Sequence, residues 1–103
     1  MDDSKLDFDW DLGNSAKCEK HGLRREEVEK LFSEAPSISP DVKHSELEQR
    51  FFAIGEGPDR RLIIVVFTFR VSSGARLIRP ISARYMNEKE AKKYGQNIAK
   101  IQD

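Results

Sequence analysis

The sequence predicts an α+β fold in which helices pack on a mostly antiparallel β-sheet. Two segments space their apolar residues as one face of a helix does, a third is bounded by helix-capping signals, and three strand-like segments follow one another across short turn signals. The chain has 103 residues, enough for one domain with one modest core. We therefore expect a flexible tail over residues 1–5 and one domain over residues 6–103, with a sheet of four or five strands.

The composition is that of a globular chain whose charge is unevenly distributed. The net charge is zero, but residues 1–59 hold 8 Lys and Arg against 15 Asp and Glu, whereas residues 60–103 hold 10 against 3. Two interpretations are open: two solvated faces that partly neutralise each other, or a basic surface for an anion such as RNA or for an acidic partner. The chain has one cysteine, no bilayer-length apolar run and no signal peptide, so we expect a cytoplasmic protein.

The first half predicts a strand and two helices. Residues 6–10 alternate apolar and acidic side chains, which is typical of a strand with one buried face. Asp11 can cap a helix over residues 12–21, which Gly22 ends.

The second helix is predicted over residues 25–34, and Pro36 stops it. Its apolar face consists of Val28, Leu31, Phe32 and Ala35. Residues 36–45 then form a loop with room for a short edge strand.

Three strands are predicted in the second half, over residues 49–55, 62–71 and 76–85. The run from Leu62 to Phe67 is continuously apolar, so we expect a central strand covered on both faces. Turn residues lie between the strands. A C-terminal helix begins at Asn87, which with Glu90 forms a capping box. Its apolar positions are Ala91, Tyr94, Ile98 and Ile101, and Gly95 weakens it.

The last strand carries an unusual load of arginine, at Arg76, Arg79 and Arg84. Guanidinium groups are planar, permanently charged donors that suit phosphate or carboxylate, so we interpret this strand as part of a site for a phosphate backbone. In a regular strand Arg79 and Arg84 would point to opposite faces. Pro80 cannot donate a ladder hydrogen bond, so we predict a β-bulge near it, which would return both arginines to one face.

Other candidate residues each have two interpretations. Cys18 and His21 are one helical turn apart. They could form a thiol–imidazole pair, or they could be a core cysteine and a histidine at the end of a helix. His21 could do acid–base chemistry, with Lys20 contacting phosphate. His44 is expected to be exposed. Two histidines so far apart do not predict a metal site, and no common catalytic signature is present.

Glu48 and Arg50 share a face on entry to a strand. They could form a surface ion pair, or the carboxylate could orient an arginine or accept a proton, and Arg70 could join them. Ser82 and Tyr85 could supply hydroxyl groups or stack on bases.

Several segments, in this order, resemble the BrnT toxin family. They are Phe8-Asp9-Trp10-Asp11, Lys20-His21-Gly22, the Glu-Glu-Val helix ending in Phe32, His44-Ser45, Glu48-x-Arg50-Phe51-x-x-Ile54-Gly55, residues 61–68 and Arg79-x-Ile81-Ser82-Ala83-Arg84. The resemblance covers about residues 6–95. It implies a fold similar to RelE-type ribonucleases, with two N-terminal helices and one C-terminal helix. It also implies an RNA-cleaving toxin that inhibits translation, is held inactive by a BrnA-like antitoxin, and reaches operator DNA only through that antitoxin.

The resemblance assigns site roles to Lys20, His21, Glu48, Arg50, Arg79, Ser82 and Arg84. Our leading hypothesis is a metal-independent endoribonuclease without a cofactor, in which His21 or Glu48 serves as base or acid. Three arginines would stabilise the phosphorane, namely Arg50, Arg79 and Arg84. RNA would be bound by Lys20, Arg70, Ser82 and Tyr85. The alternative is a non-catalytic module that binds RNA or protein, such as a degenerate toxin that only binds its antitoxin. In the first case we expect the guanidiniums to converge on one concave surface.

Overall fold

The computed structural model describes residues 6–44 and 46–102 of the chain. Its helices are α1 (Leu12–Glu19), α2 (Arg25–Ser33) and α3 (Glu88–Gln102), and its strands are β1 (Ser37–Pro40), β2 (Phe51–Glu56), β3 (Leu62–Ser72) and β4 (Ala75–Tyr85). Short 3-10 turns lie at Val42–His44 and Pro58–Arg60. The predicted α+β class is confirmed, since the described residues form three helices and a four-stranded sheet.

The sheet is open and antiparallel, with strand order β1-β2-β3-β4. Sequential neighbours pair because each connection is short enough for an antiparallel return. The β3–β4 turn is the tightest, since Ser72 pairs with Ala75 across two residues. The two turn residues between them, Ser73 and Gly74, have positive φ, at 51° and 79°. That backbone matches the twist of the hairpin strands and favours glycine.

The core lies between the sheet and the first two helices. α1 packs against β4 and α2 packs against β2. The first two helices and the connection between them supply Cys18, Leu23, Val28, Leu31 and Phe32, and the sheet supplies Ala53, Ile63, Val65, Phe67, Ile78 and Ala83. The spacing of apolar residues in α2 therefore predicted three core residues correctly.

The predicted N-terminal strand is wrong, because only Phe8 forms a bridge, and that bridge is parallel, to Ile78 of β4. The amide of Asp9 donates to the Ile78 carbonyl at 2.8 Å, and the Ile78 amide donates to Asp7 at 3.0 Å. Asp11 then caps α1, so the segment leaves the sheet after one bridge. The alternating pattern still reflects burial, since the Phe8 ring packs edge-on against Phe32 at 5.6 Å.

Two further expectations need correction. The apolar run of β3 is not equally covered on both faces, because Ile63 and Val65 are buried whereas Ile64 and Val66 are half-buried. Ala35 is exposed and has a φ of 52°, so it turns the chain after α2 instead of completing the apolar face of that helix. The tail predicted over residues 1–5 lies outside the described residues.

The predicted helix boundaries are confirmed within two residues or fewer. α1 ends at Glu19, and the turn after it includes Gly22 with a φ of 83°. The predicted capping box of α3 is present: the Glu90 amide donates to the Asn87 side chain at 2.8 Å, and the Asn87 amide donates to the Glu90 carboxylate at 3.0 Å.

Gly55 allows α2 to approach β2 closely. A Cβ added there would lie 2.6 Å from Cδ1 of the buried Leu31. We expect Gly55→Ala to lower the free energy of unfolding by about 1–3 kcal/mol through overpacking. The matched control is Gly95→Ala in α3, where an added Cβ meets no described atom within 4 Å and helix propensity should raise stability by up to about 1 kcal/mol. Urea unfolding measures both, and equal effects of the two changes would contradict this account.

Candidate functional site

The predicted β-bulge is present and lies directly after Pro80. Val66 pairs with Ser82, but the next residue of β3, Phe67, pairs with Pro80, so Ile81 is the extra residue. Arg79 is paired with Thr68 and Arg84 with Ile64. These partners are four residues apart on β3, so the two arginines share a face, roughly 13 Å apart along the strand.

The bulge is tied to the start of α1 through Asn14. The Asn14 side-chain amide donates to the Pro80 carbonyl at 2.8 Å and to the Asp9 carbonyl at 3.0 Å. Asn14 is buried, at 5% exposure, and its backbone N–H donates to the Asp11 carboxylate at 2.9 Å. One asparagine thus fixes the first turn of α1 against β4, beside Arg79.

Arg79 contacts two carboxylates that this arrangement brings to it. Its Nη2 lies 2.8 Å from Oδ2 of Asp11, and its Nη1 lies 3.4 Å from Oδ2 of Asp9. The Asn14 backbone N–H and then the Arg79 guanidinium lower the pKa of Asp11. The same hydrogen bond raises the pKa of Arg79, so both groups are held in their charged forms.

The opposite wall of the site comes from β3 and from the chain just before β2. The hydroxyl of Thr68, 3% exposed, donates to the Gln49 carbonyl at 2.7 Å. This side-chain hydrogen bond extends the pairing between β2 and β3 beyond the start of β2. It holds the segment that carries Glu48 and Arg50. The Glu48 carboxylate lies 3.2 Å from Nη2 of Arg70.

These parts surround a cleft of about 350 Å³. Its lining residues are Asp11, Gly13, Asn14, Lys17, Glu48, Arg50, Arg70, Arg79 and Ile81. Four are cations and two are carboxylates, so a bound anion would meet an excess of positive charge. The Arg70 side chain is 49% exposed and that of Asp11 is 53% exposed, so the cleft opens to solvent.

The cleft contains four of the residues that the sequence singled out: Glu48, Arg50, Arg70 and Arg79. The other five are not among its lining residues: Lys20, His21, Ser82, Arg84 and Tyr85. The guanidiniums therefore converge in part, with Arg84 directed elsewhere.

Arg84 is engaged at the start of α3. Its two Nη atoms each lie 2.8 Å from a carboxylate oxygen of Glu90. This contact raises the pKa of Arg84. The Arg84 guanidinium and then the Asn87 backbone N–H lower the pKa of Glu90 to about 2, from an ordinary value of 4.5.

A second cationic region lies beside Tyr85. The Arg61 guanidinium stacks over the Tyr85 ring, 3.9 Å from its centroid. A Cβ added at Gly22 would lie 3.9 Å from Cε2 of Tyr85, so the turn that carries Lys20 and His21 is next to this ring.

The two histidines and the cysteine take separate places. Cys18 is fully buried, and burial raises the pKa of its thiol to about 11, which suits a core residue and not a nucleophile. His21 is exposed. His44 is exposed as expected, with Nδ1 3.1 Å from the Asp41 carboxylate.

Sequence reasoning missed Lys17, Asn14 and Thr68 as parts of the site. A signal existed for the first two, since Asn14 and Lys17 are three residues apart in a predicted helix and so share a face with Gly13. No sequence pattern assigned Thr68 to the site, because its role depends on pairing with a distant segment.

Neither a metal site nor a membrane span is evident in the part of the chain that the structure describes. No three His, Cys, Asp or Glu side chains there are grouped so that they could hold a metal ion. None of the helices described there is long and apolar enough to cross a membrane.

Comparison with protein families defines the class of this protein. A family model described as "Ribonuclease toxin, BrnT, of type II toxin-antitoxin system" matches residues 10–90. The class is therefore that of ribonuclease toxins, which act with an antitoxin partner. Because the match covers most of the chain, the protein belongs to the BrnT family. No curated protein matches the chain.

The Arg84–Glu90 pair predicts a pH-dependent contribution to stability. Because folding lowers the pKa of Glu90 to about 2, its contribution is present above about pH 4.5 and is lost as the pH falls towards 2. Glu90→Gln removes the charge, while glutamine keeps the capping role. We expect the difference in free energy of unfolding between wild type and Glu90→Gln, measured by urea titration, to shrink between pH 5 and pH 2. A difference that stays constant over this range would contradict the assignment.

Proposed function

We propose that this chain is an endoribonuclease toxin that cleaves RNA without a metal ion and thereby inhibits translation. One observation carries the proposal: in a chain of a ribonuclease toxin family, Arg50, Arg70 and Arg79 line one open cleft with Lys17 and Glu48. Arginine presents rigid, paired donors to phosphate oxygens and does not lose its charge.

The proposed reaction is a transesterification within the RNA backbone. The ribose 2′-oxygen attacks the adjacent phosphorus, and its proton passes to the Glu48 carboxylate. The bond from phosphorus to the 5′-oxygen breaks, and that oxygen takes a proton from water entering the open cleft. The products are a 2′,3′-cyclic phosphate and a 5′-hydroxyl.

The cationic side chains of the cleft would stabilise the charge that develops on the phosphorane. Electrostatic stabilisation of this kind is usually the largest single contribution to catalysis, and one such donor is worth about 10²–10³ in rate. Arg50 and Arg79 hold this role in the proposal. Arg70 binds RNA and keeps Glu48 in place through their 3.2 Å contact.

We assign the predicted residues outside the cleft to binding RNA beside the scissile phosphate. Arg84 is on the same sheet face as Arg79 but roughly 13 Å away along the strand, and its guanidinium is held by Glu90 outside the cleft. Ser82 lies between them on β4. The turn with Lys20 and His21 lies beside Tyr85, which could stack on a base.

A second candidate function is binding without cleavage. It is favoured by one observation, that Arg70, Arg79 and Arg84 each contact a carboxylate, at 3.2, 2.8 and 2.8 Å. An arginine that is paired with a carboxylate stabilises the charge of a substrate less strongly. We would expect such pairs in a degenerate toxin that only binds its antitoxin or RNA.

The decisive experiment is cleavage of a labelled RNA oligonucleotide by the purified chain in excess EDTA. We expect cleavage that yields 2′,3′-cyclic phosphate ends and that a 2′-deoxy substitution at the scissile position abolishes. Arg79→Ala and Arg50→Ala should each lower the rate by about 10²–10³.

The matched control is Arg76→Ala, an arginine of the same strand β4 that stacks over Phe69, 3.8 Å from the ring centroid, and is not a lining residue of the cleft. We expect it to keep the wild-type rate and to lose about 0.5–1 kcal/mol of stability. Wild-type binding of the oligonucleotide without any cleavage would favour the second candidate function. Equal losses of cleavage rate in Arg76→Ala and Arg79→Ala would contradict a catalytic role for the cleft.

We further propose that the partner is a BrnA-like antitoxin, that the pair acts in the cytoplasm, and that operator DNA is bound through the antitoxin. Expression of the chain should arrest growth, and co-expression of the protein encoded beside it should restore growth. In gel shifts, we expect operator DNA to be bound by the purified complex but not by the toxin alone. Binding by the toxin alone would contradict the proposed division of labour.

A further inference from the structure

We propose that Asp9 and Asp11 are positioning residues that hold the Arg79 guanidinium in place before RNA binds. The inference rests on the proposed ribonuclease function. It gives these carboxylates a role in the reaction although neither needs to touch the RNA.

Asp11 divides its two carboxylate oxygens between two tasks. Oδ1 accepts the hydrogen bond from the Asn14 amide, which caps α1, and Oδ2 accepts from Nη2 of Arg79. The hydrogen bond of the helix cap therefore fixes the orientation of this carboxylate independently of its contact with Arg79. The helix is fixed in turn by the bond from the Asn14 side chain to the Pro80 carbonyl, which is on the residue next to Arg79.

Asp9 approaches the other side of the same guanidinium. Its amide donates to the Ile78 carbonyl at 2.8 Å, so its main chain is bonded to the residue before Arg79. Its carboxylate lies 3.4 Å from Nη1 of Arg79. The neighbouring residues anchor this segment: Phe8 packs against Phe32 at 5.6 Å, and the Trp10 indole donates to Glu29 at 2.8 Å.

Two acids on the two Nη atoms restrict a side chain that is otherwise long and flexible. A guanidinium has five N–H donors, so two contacts leave donors with which Arg79 can bind a phosphate. A prealigned donor contributes more to the transition state than a mobile one, because its ordering has no cost at the moment of reaction. The two carboxylates also reduce the positive charge of the cleft, so they weaken RNA binding.

This combination predicts opposite effects on rate and on binding. Removing a carboxylate should lower kcat, because Arg79 loses its alignment, but should leave KM unchanged or lower it, because the cleft becomes more positive. Damage to the fold would not produce this separation.

Asp11→Asn isolates the charge from the helix cap. Asparagine and aspartate are equally good N-caps, so Asp11→Asn should keep α1 while it removes the charge that faces Arg79. Asp9→Asn removes the second charge. The matched control is Glu27→Gln, which also removes one acid near a helix N-terminus, on α2, where Glu27 lies 3.5 Å from Arg24 and is not a lining residue of the cleft.

The test combines kinetics on an RNA oligonucleotide with ¹⁵N NMR of the arginine side chains, and urea unfolding verifies that the variants are folded. We expect the Asp9→Asn/Asp11→Asn double variant to lose roughly ten- to a hundredfold in kcat, with KM unchanged or lower, and Glu27→Gln to keep both values. The Arg79 Nη signals, assigned with Arg79→Lys, should be resolved in wild type and averaged in the double variant.

Wild-type kcat in the double variant would overturn the inference, as would a loss that appears only in KM. The NMR result separates this inference from the proposed function, because it requires no cleavage. If wild type cleaves no RNA, the proposed function fails, and averaged Arg79 signals in the double variant would still support the positioning of Arg79. Unchanged Arg79 signals in the double variant would overturn the inference whether or not wild type is active.

Discussion

The hydrogen bond from the Asn14 side chain to the Pro80 carbonyl is the contact on which the site depends. The pairing of β4 with β3 is interrupted directly after Pro80, where Ile81 is the extra residue. The Pro80 carbonyl, like that of Ile78, faces the outer side of β4, and the buried Asn14 side-chain amide donates to it at 2.8 Å. Because Asn14 also belongs to the capping box of α1, one residue joins the start of the helix to the bulge in the strand. These two elements form one wall of the cleft, and Glu48, Arg50 and Arg70 line the other.

The charge segregation along the sequence also has its explanation in these contacts. The acidic first half supplies Asp9, Asp11 and Glu48, and the basic second half supplies Arg70 and Arg79. The two interpretations of the charge blocks, a basic surface and mutual neutralisation, therefore both describe part of the molecule. Placing like-charged arginines in one cleft is costly unless acids lie between them, and the acids come from segments distant in the sequence.

Local patterns in the sequence were sufficient for most elements of the fold and insufficient for the site. Caps, turn residues and apolar spacing act over a few residues, so they located the helices, the hairpin and the bulge at Pro80. The strand predicted over residues 6–10 failed because the segment pairs with β4 only at Phe8, and a period-two pattern indicates one buried face but not a pairing partner. Arg79 and Arg84 were placed on one face correctly, but their separate partners, Asp11 and Glu90, depend on where α1 meets the sheet and on how the chain turns from β4 into α3. That placement is a tertiary property which the spacing of arginines in one strand does not contain.

The single bridge at Phe8 has a consequence for self-association. An edge strand with unpaired backbone groups is a template for joining a second sheet, and β4, with 11 residues, is a long edge. Asp7 and Asp9 occupy its outer side at Ile78, and the Asn14 side chain occupies it at Pro80. The other edge, β1, has only four residues and ends in Pro40. Aggregation through the first half of β4 or through β1 is thus opposed by the same N-terminal contacts and proline that shape the molecule.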